Sequence, residues 1–300
     1  MSREKEINLL RSLYFIMINL IGLIFFHGTL KELVELSFHS ELYSHILLIP
    51  LVSFYIFFVE RKTIFNRQDY SLQTGISVLG VGLLFYWLGN SHILSLNQND
   101  NLSLMIFAAL IYFEGAFIMC YGTQSFRSAK FPLLFLVFMI PIPTRILDPF
   151  VHLLLIGSTH ITASIFKILG VPFYRHGFIF ELPGISIEVA KECSGIRSTL
   201  ALFITSVVAG HLFLRTGRRK LLLSLFVFPL TIFKNSLRIV TISLLAAYID
   251  QIFVTNHWIH RAGGKPFFIF ALFVFLPVLL LLRRSEEENV ESLKYEKEGI

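Results

Sequence analysis

Apolar residues run in long blocks from one end of this chain to the other, broken by short polar stretches. A helix that is apolar on every side has no watery face to turn outward, so blocks of this length read as membrane spans. Eight are predicted, at roughly 8–26, 45–59, 74–89, 102–121, 131–143, 196–214, 221–243 and 266–282. Several are short for a hydrocarbon core of about 30 Å, so their helices are expected to run on into polar flanks. The charged stretch from Met1 to Glu6 enters the first block with no small-residue cleavage site behind it, which reads as an uncleaved first span.

Two stretches depart from the block pattern. Residues 145–170 have a helical pattern but carry Arg145, Asp148, His152, His160 and Lys167, so they are predicted to lie on the outer interface, with Pro141 and Pro143 turning the chain there. Residues 178–182 and 185–189 alternate with a period of two around Pro183-Gly184, the mark of a small hairpin. Proline cannot take the positive φ of the commonest two-residue hairpin turns, so a wider turn is expected. The fold class predicted is therefore all-α and polytopic: about eight transmembrane helices, a small extracytoplasmic β-hairpin and an interfacial helix. It divides into an N-terminal four-helix membrane region (1–130), a second membrane core (131–284) and a charged, disordered cytoplasmic tail (285–300).

Composition agrees, with 55% hydrophobic and 15% charged residues, where a soluble domain carries nearer a quarter charged. The net charge of +6 changes the picture through its placement. Arg61, Lys62 and Arg67, then Arg127 and Lys130, then Arg215, Arg218, Arg219 and Lys220, then Arg283 and Arg284 all fall on one side if both termini are cytoplasmic and 145–170 does not cross. The basic balance is thus a record of orientation, and no nucleic-acid partner is expected. No phosphate loop, zinc spacing or haem motif is present, so neither cofactor nor metal is expected.

That orientation gathers chemistry on the outer side. Cys193, in Glu192-Cys193-Ser194-Gly195-Ile196-Arg197-Ser198, stands just before the sixth span, where a helix N-terminus favours a thiolate. Glu192 opposes that charge, with Arg238 or Arg197 as the cation to offset it. Arg238 lies about 26 Å along the seventh span from Leu221, close to the outer surface, with Lys234 and Asn235 one turn below it. An intramembrane arginine is a functional candidate by default, with snorkelling as the plain reading. His257 and His260 occupy the outer loop before the eighth span, where a belt role is the plain reading. Cys120 falls near the cytoplasmic end of span four, which predicts the two thiols on opposite faces, so no disulfide between them is expected and Cys193 is expected to be free.

Together these motifs resemble the exosortase/archaeosortase family, multi-spanning enzymes that act on proteins with a C-terminal sorting signal. The resemblance rests on Cys193-Ser194-Gly195, on Asn235-Ser236-Leu237-Arg238, on His260-Arg261-Ala262-Gly263-Gly264, on Ile140-Pro141-Ile142-Pro143 and on the hairpin before the cysteine, over about residues 130–284. It implies a membrane cysteine peptidase or transpeptidase in the plasma (inner) membrane, with its active site facing outward. Cys193 would be the nucleophile, Arg238 the anion stabiliser and His260 the acid and base. Glu192, Ser194, Arg197, Asn235 and His257 would be supporting, His257 also as a rival to His260. The partners implied are membrane-tethered proteins bearing a motif, a transmembrane helix and a basic tail. The acceptor could be water, an amine or a lipid headgroup. Gly75, Gly80, Gly82 and Gly89 on span three could open a groove for the substrate helix, or serve packing of the enzyme's own helices. Two other classes stay open: a carrier with Arg238 and Glu114 in a substrate path, and a metal-dependent hydrolase using His257 and His260.

Overall fold

The computed structural model describes residues 3–66, 69, 71–91, 93–191, 194–250, 252–255 and 264–298. The chain divides into two compact units, Met1–Leu147 and Asp148–Ile300. The boundary falls after Leu147 instead of after Lys130, because residues 130–147 pack and hydrogen-bond with the helices before them.

In the first unit, α1 (Arg3–His39), α2 (Leu48–Ile64), α3 (Leu72–Asn90) and α4 (Gln98–Ser128) alternate in direction. Phe15 of α1 meets Tyr121 of α4, whereas Leu33 of α1 shares a cluster with Leu102 and Ile106. Helix α3 is held close to α4 because its glycines remove the side chains between them. A Cβ on Gly75 would sit 2.5 Å from the Met119 backbone, and one on Gly82 2.8 Å from the Tyr112 nitrogen. Gly89 meets Met105, while Gly80 faces open space. Three of the four glycines on span three therefore serve packing within the chain.

Helix α5 (Lys130–Phe135) and a 3-10 turn (Leu136–Met139) carry the chain back along α4. Leu133 packs with Phe117 and Cys120, and Met139 and Ile140 with Leu102 and Ile106. The Pro132 carbonyl accepts from Ser53 Oγ at 2.7 Å and the Pro141 carbonyl from Ser103 Oγ at 2.7 Å. The Ile142 carbonyl accepts from Asn99 at 2.9 Å. The span predicted at 131–143 is thus helical as far as Met139 and extended only over Ile140–Pro143, and the Pro132, Pro141 and Ile142 carbonyls accept from neighbouring side chains. A cavity of about 710 Å³ opens among α1, α2, α4 and α5, walled by residues such as Phe26, Phe57, Tyr112 and Phe117.

In the second unit, α6 (Thr144–Ile168, its first residues belonging to the first unit) presents Leu154, Leu155, Ser158, Thr162 and Phe166 on its buried side. Strands β1 (Tyr174–His176), β2 (Ile179–Leu182) and β3 (Ile185–Glu188) form one antiparallel sheet in the order β1-β2-β3. The predicted hairpin is β2–β3, and β1 adds a third strand. Leu182 pairs directly with Ile185, so the turn is two residues long instead of wider. Pro183 followed by Gly184 at φ 80° is the residue choice of a type II turn, which needs positive φ only at the second position. The sheet lies along α6, with Phe178 against His152 and Phe180 against Phe166.

Helices α7 (Ile196–Phe213), α8 (Gly217–Tyr248), α9 (Ile252–Thr255) and α10 (Gly264–Glu298) complete the unit. Leu202, Leu223, Val227, Ala271 and Phe275 build its core. The tail predicted to be disordered from residue 285 is instead a continuation of α10. Arg283–Glu287 and Arg284–Glu288 pair at 3.0 Å one turn apart, and buried Glu286 accepts from the backbone N–H groups of Arg215 at 2.8 Å and Thr216 at 2.6 Å. Seven helices among the described residues are long and apolar enough to cross a membrane, by length and composition: α1, α3, α4, α6, α7, α8 and α10. Helix α2, at 17 residues, is one residue shorter than the shortest of these, α7. Helix α6 qualifies on the same measure, although the sequence reading lays it on the interface.

Candidate active site

Gly195 starts the site. It precedes α7 with φ 76°, a left-handed conformation that an L side chain resists, and a Cβ there would lie 3.1 Å from the Asn235 amide. Its carbonyl collects three donors: the Thr199 N–H at 3.0 Å, Ser198 Oγ at 2.9 Å and Thr199 Oγ1 at 2.9 Å. Ser194, only 2% exposed, donates its N–H to the Lys191 carbonyl at 3.0 Å, and its Oγ accepts from the Ile196 N–H at 3.4 Å. Lys191 pairs with Asp148 at 3.4 Å, tying this turn to the start of α6.

Helix α8 supplies the opposite wall. Lys234, 2% exposed, donates to Ser198 Oγ in the first turn of α7. Asn235 donates to Ser158 Oγ of α6 at 3.1 Å, and Ser236 Oγ donates to the Ser158 carbonyl at 3.0 Å. Gly157 admits the approach of Ile232 beside them, where a Cβ would lie 3.0 Å from its Cδ1. Arg238, half-buried, follows one turn beyond Lys234 and within electrostatic range of it. Arg197, in the first turn of α7, is exposed.

Among the predicted site residues, Ser194 and Asn235 line the two sides of this turn, and Arg238 continues the polar edge of α8. Cys193, Glu192, His257 and His260 lie outside the described residues. Ser158, Ser198 and Thr199 are partners that the sequence reading passes over. The spacing Ser158, Thr159, Thr162, on the same side of α6 as Leu154, Leu155 and Phe166, was the available signal, and all three are fully buried. Cys120 is a free, buried thiol in the apolar cluster around Phe117 and Tyr121. Glu114 belongs to α4 in the first unit and Arg238 to α8 in the second.

The model of the transmembrane exosortase family matches residues 36–277. The chain belongs to this exosortase family. The match begins well before residue 130, so spans two to four, which carry no motif of their own, are part of the family pattern. Membership implies a sorting protease whose substrates carry a C-terminal sorting signal. No curated protein and no solved structure matches the chain.

Proposed function

We propose that this exosortase is a cysteine transpeptidase or protease that severs the C-terminal sorting signal of membrane-tethered proteins through a thioester on Cys193. The observation that carries this reading is the turn that Cys193 leads into. Its next residue, Ser194, is buried, and the turn packs on the polar edge of α8, which ends in Arg238. A helix start braced by buried hydroxyls and cations suits a thiolate.

The Cys193 thiolate attacks the carbonyl carbon of the scissile peptide bond, and Arg238 stabilises the oxyanion. The C–N bond breaks as His260 gives a proton to the leaving amine, and the thioester remains. His260 then takes a proton from the acceptor, whose oxygen or nitrogen displaces the thiolate. Water as acceptor yields a protease, and an amine or a lipid headgroup yields a transferase.

Outward orientation of the site is supported by the basic loops and by the sheet along α6. An open sheet edge is not stable in hydrocarbon, so a helix overlaid by one fits the interface. The test is processing of a tailed membrane substrate by Cys193→Ala and Cys193→Ser. Both are expected to lose processing by a factor of about a thousand or more; full processing by the alanine variant removes the nucleophile assignment.

A further inference from the structure

The cavity of the first unit has a carbon wall and an open side. Four polar side chains reach the wall, and each donates back to the chain: Asn19 to the Phe15 carbonyl at 2.8 Å, Ser53 to the Pro132 carbonyl at 2.7 Å, Tyr112 to the Ile18 carbonyl at 2.8 Å and Tyr121 to Ser12 Oγ at 3.3 Å. Helix α1 leans on α4, and α2 leans on residues 130–139. Ile16, Leu20 and Leu23 of α1 and Phe54 of α2 are exposed wall residues, whereas Ile106 and Phe117 of α4 are buried ones. The cavity therefore runs inward from a mouth between α1 and α2. Ile16 to Leu23 stand in the apolar part of α1, which is long enough to cross a membrane, so the mouth faces hydrocarbon.

Water needs two to four polar partners in such a space, and this wall keeps its donors for the chain. Left empty, the cavity would deprive its lining of the dispersion contacts of a packed interior. A second helix is a poor fit. Helices pair in membranes through small residues, and this wall is built from Phe15, Phe26, Phe54, Phe57 and Phe113. Gly22 is already occupied, since a Cβ there would lie 2.5 Å from the Tyr112 ring.

We propose that the cavity binds one acyl chain of a bilayer phospholipid, entering sideways between α1 and α2. Wall residues on α1 run from Phe15 to Leu30, about 22 Å of helix. One leaflet's share of a hydrocarbon core about 30 Å thick is about 15 Å, so a single chain can lie along the wall for its whole length. The volume of about 710 Å³ falls within the range of about 300–1,000 Å³ that small-molecule sites occupy. A flexible chain threads between rings that would obstruct a helix. The proposal concerns the first unit alone and is independent of the thioester reading above.

The experiment places the full chain in nanodiscs of phosphatidylcholine with a photoactivatable diazirine midway along one acyl chain. Adducts are mapped by peptide mass spectrometry after illumination. Leu110 and Phe113, on the α4 side of the wall, are expected to carry them. Ile24 and Leu51, exposed and off the wall, report the surrounding lipid and are expected to be labelled in every variant. Ala109→Phe and Leu136→Trp fill the cavity from different elements and are expected to lose the inner adducts while keeping the outer ones; either serves if the other does not fold. Inner residues left unlabelled in the parent overturn the proposal, and so does inner labelling that the filled variants retain. Inner adducts that a tailed membrane substrate abolishes would assign the cavity to the substrate's helix, and overturn it as well.

Discussion

Gly195 at φ 76° turns its carbonyl toward three donors from Ser198 and Thr199, and its bare Cα lets the Asn235 amide close against it. Gly195→Ala would place a Cβ in a conformation that costs about 1–2 kcal/mol and press it on Asn235. A lower thermal unfolding midpoint in detergent and slower processing are both expected; an unchanged midpoint would mean that the turn relaxes freely. At this scale the costly groups were legible. Arg238, Lys234 and Asn235 stand out because a charge or amide in a membrane helix needs a reason. Ser158, Thr159 and Thr162 did not stand out, because a hydroxyl is nearly free of cost on a helix: Thr159 Oγ1 simply donates to its own Leu155 carbonyl at 2.7 Å.

Helix α8 is capped from another element. Glu286 of α10 takes the N–H groups of Arg215 and Thr216 and the Thr216 hydroxyl, so a carboxylate sits at the positive end of α8 and ties the link between α7 and α8 to α10. Glu286→Ala is expected to lower the midpoint by a few degrees, and Glu287→Ala, on the exposed side of the same turn, to leave it unchanged within a degree or so. The charged composition after residue 284 suggested disorder, but the pattern Arg283–Glu287 and Arg284–Glu288 is also that of a solvated helix. Strand β1 was beyond reach of the pattern: three residues, two of them exposed, alternate too briefly to register.

If α1 to α4 and the return of residues 130–143 each cross, the first unit makes five passes, and α7, α8 and α10 would add three in the second. Whether α6 adds one decides the sides of the two ends. If it lies on the interface, reporters fused at each terminus are expected to read cytoplasmic together, and a membrane-impermeant thiol reagent is expected to label Cys193 from outside in a Cys120→Ala background. Opposite readings at the two ends would mean that α6 crosses. Charge counting could not see that the predicted fifth span is built from ten helical residues and an extended Ile140–Pro143. That segment has a consequence for biogenesis. Its bare carbonyls are tolerable in a bilayer only when Ser53, Ser103 and Asn99 are already waiting. During insertion it must therefore follow α2 and α4 into the membrane, and residues 130–143 offered to the insertion machinery alone are expected to stay at the surface.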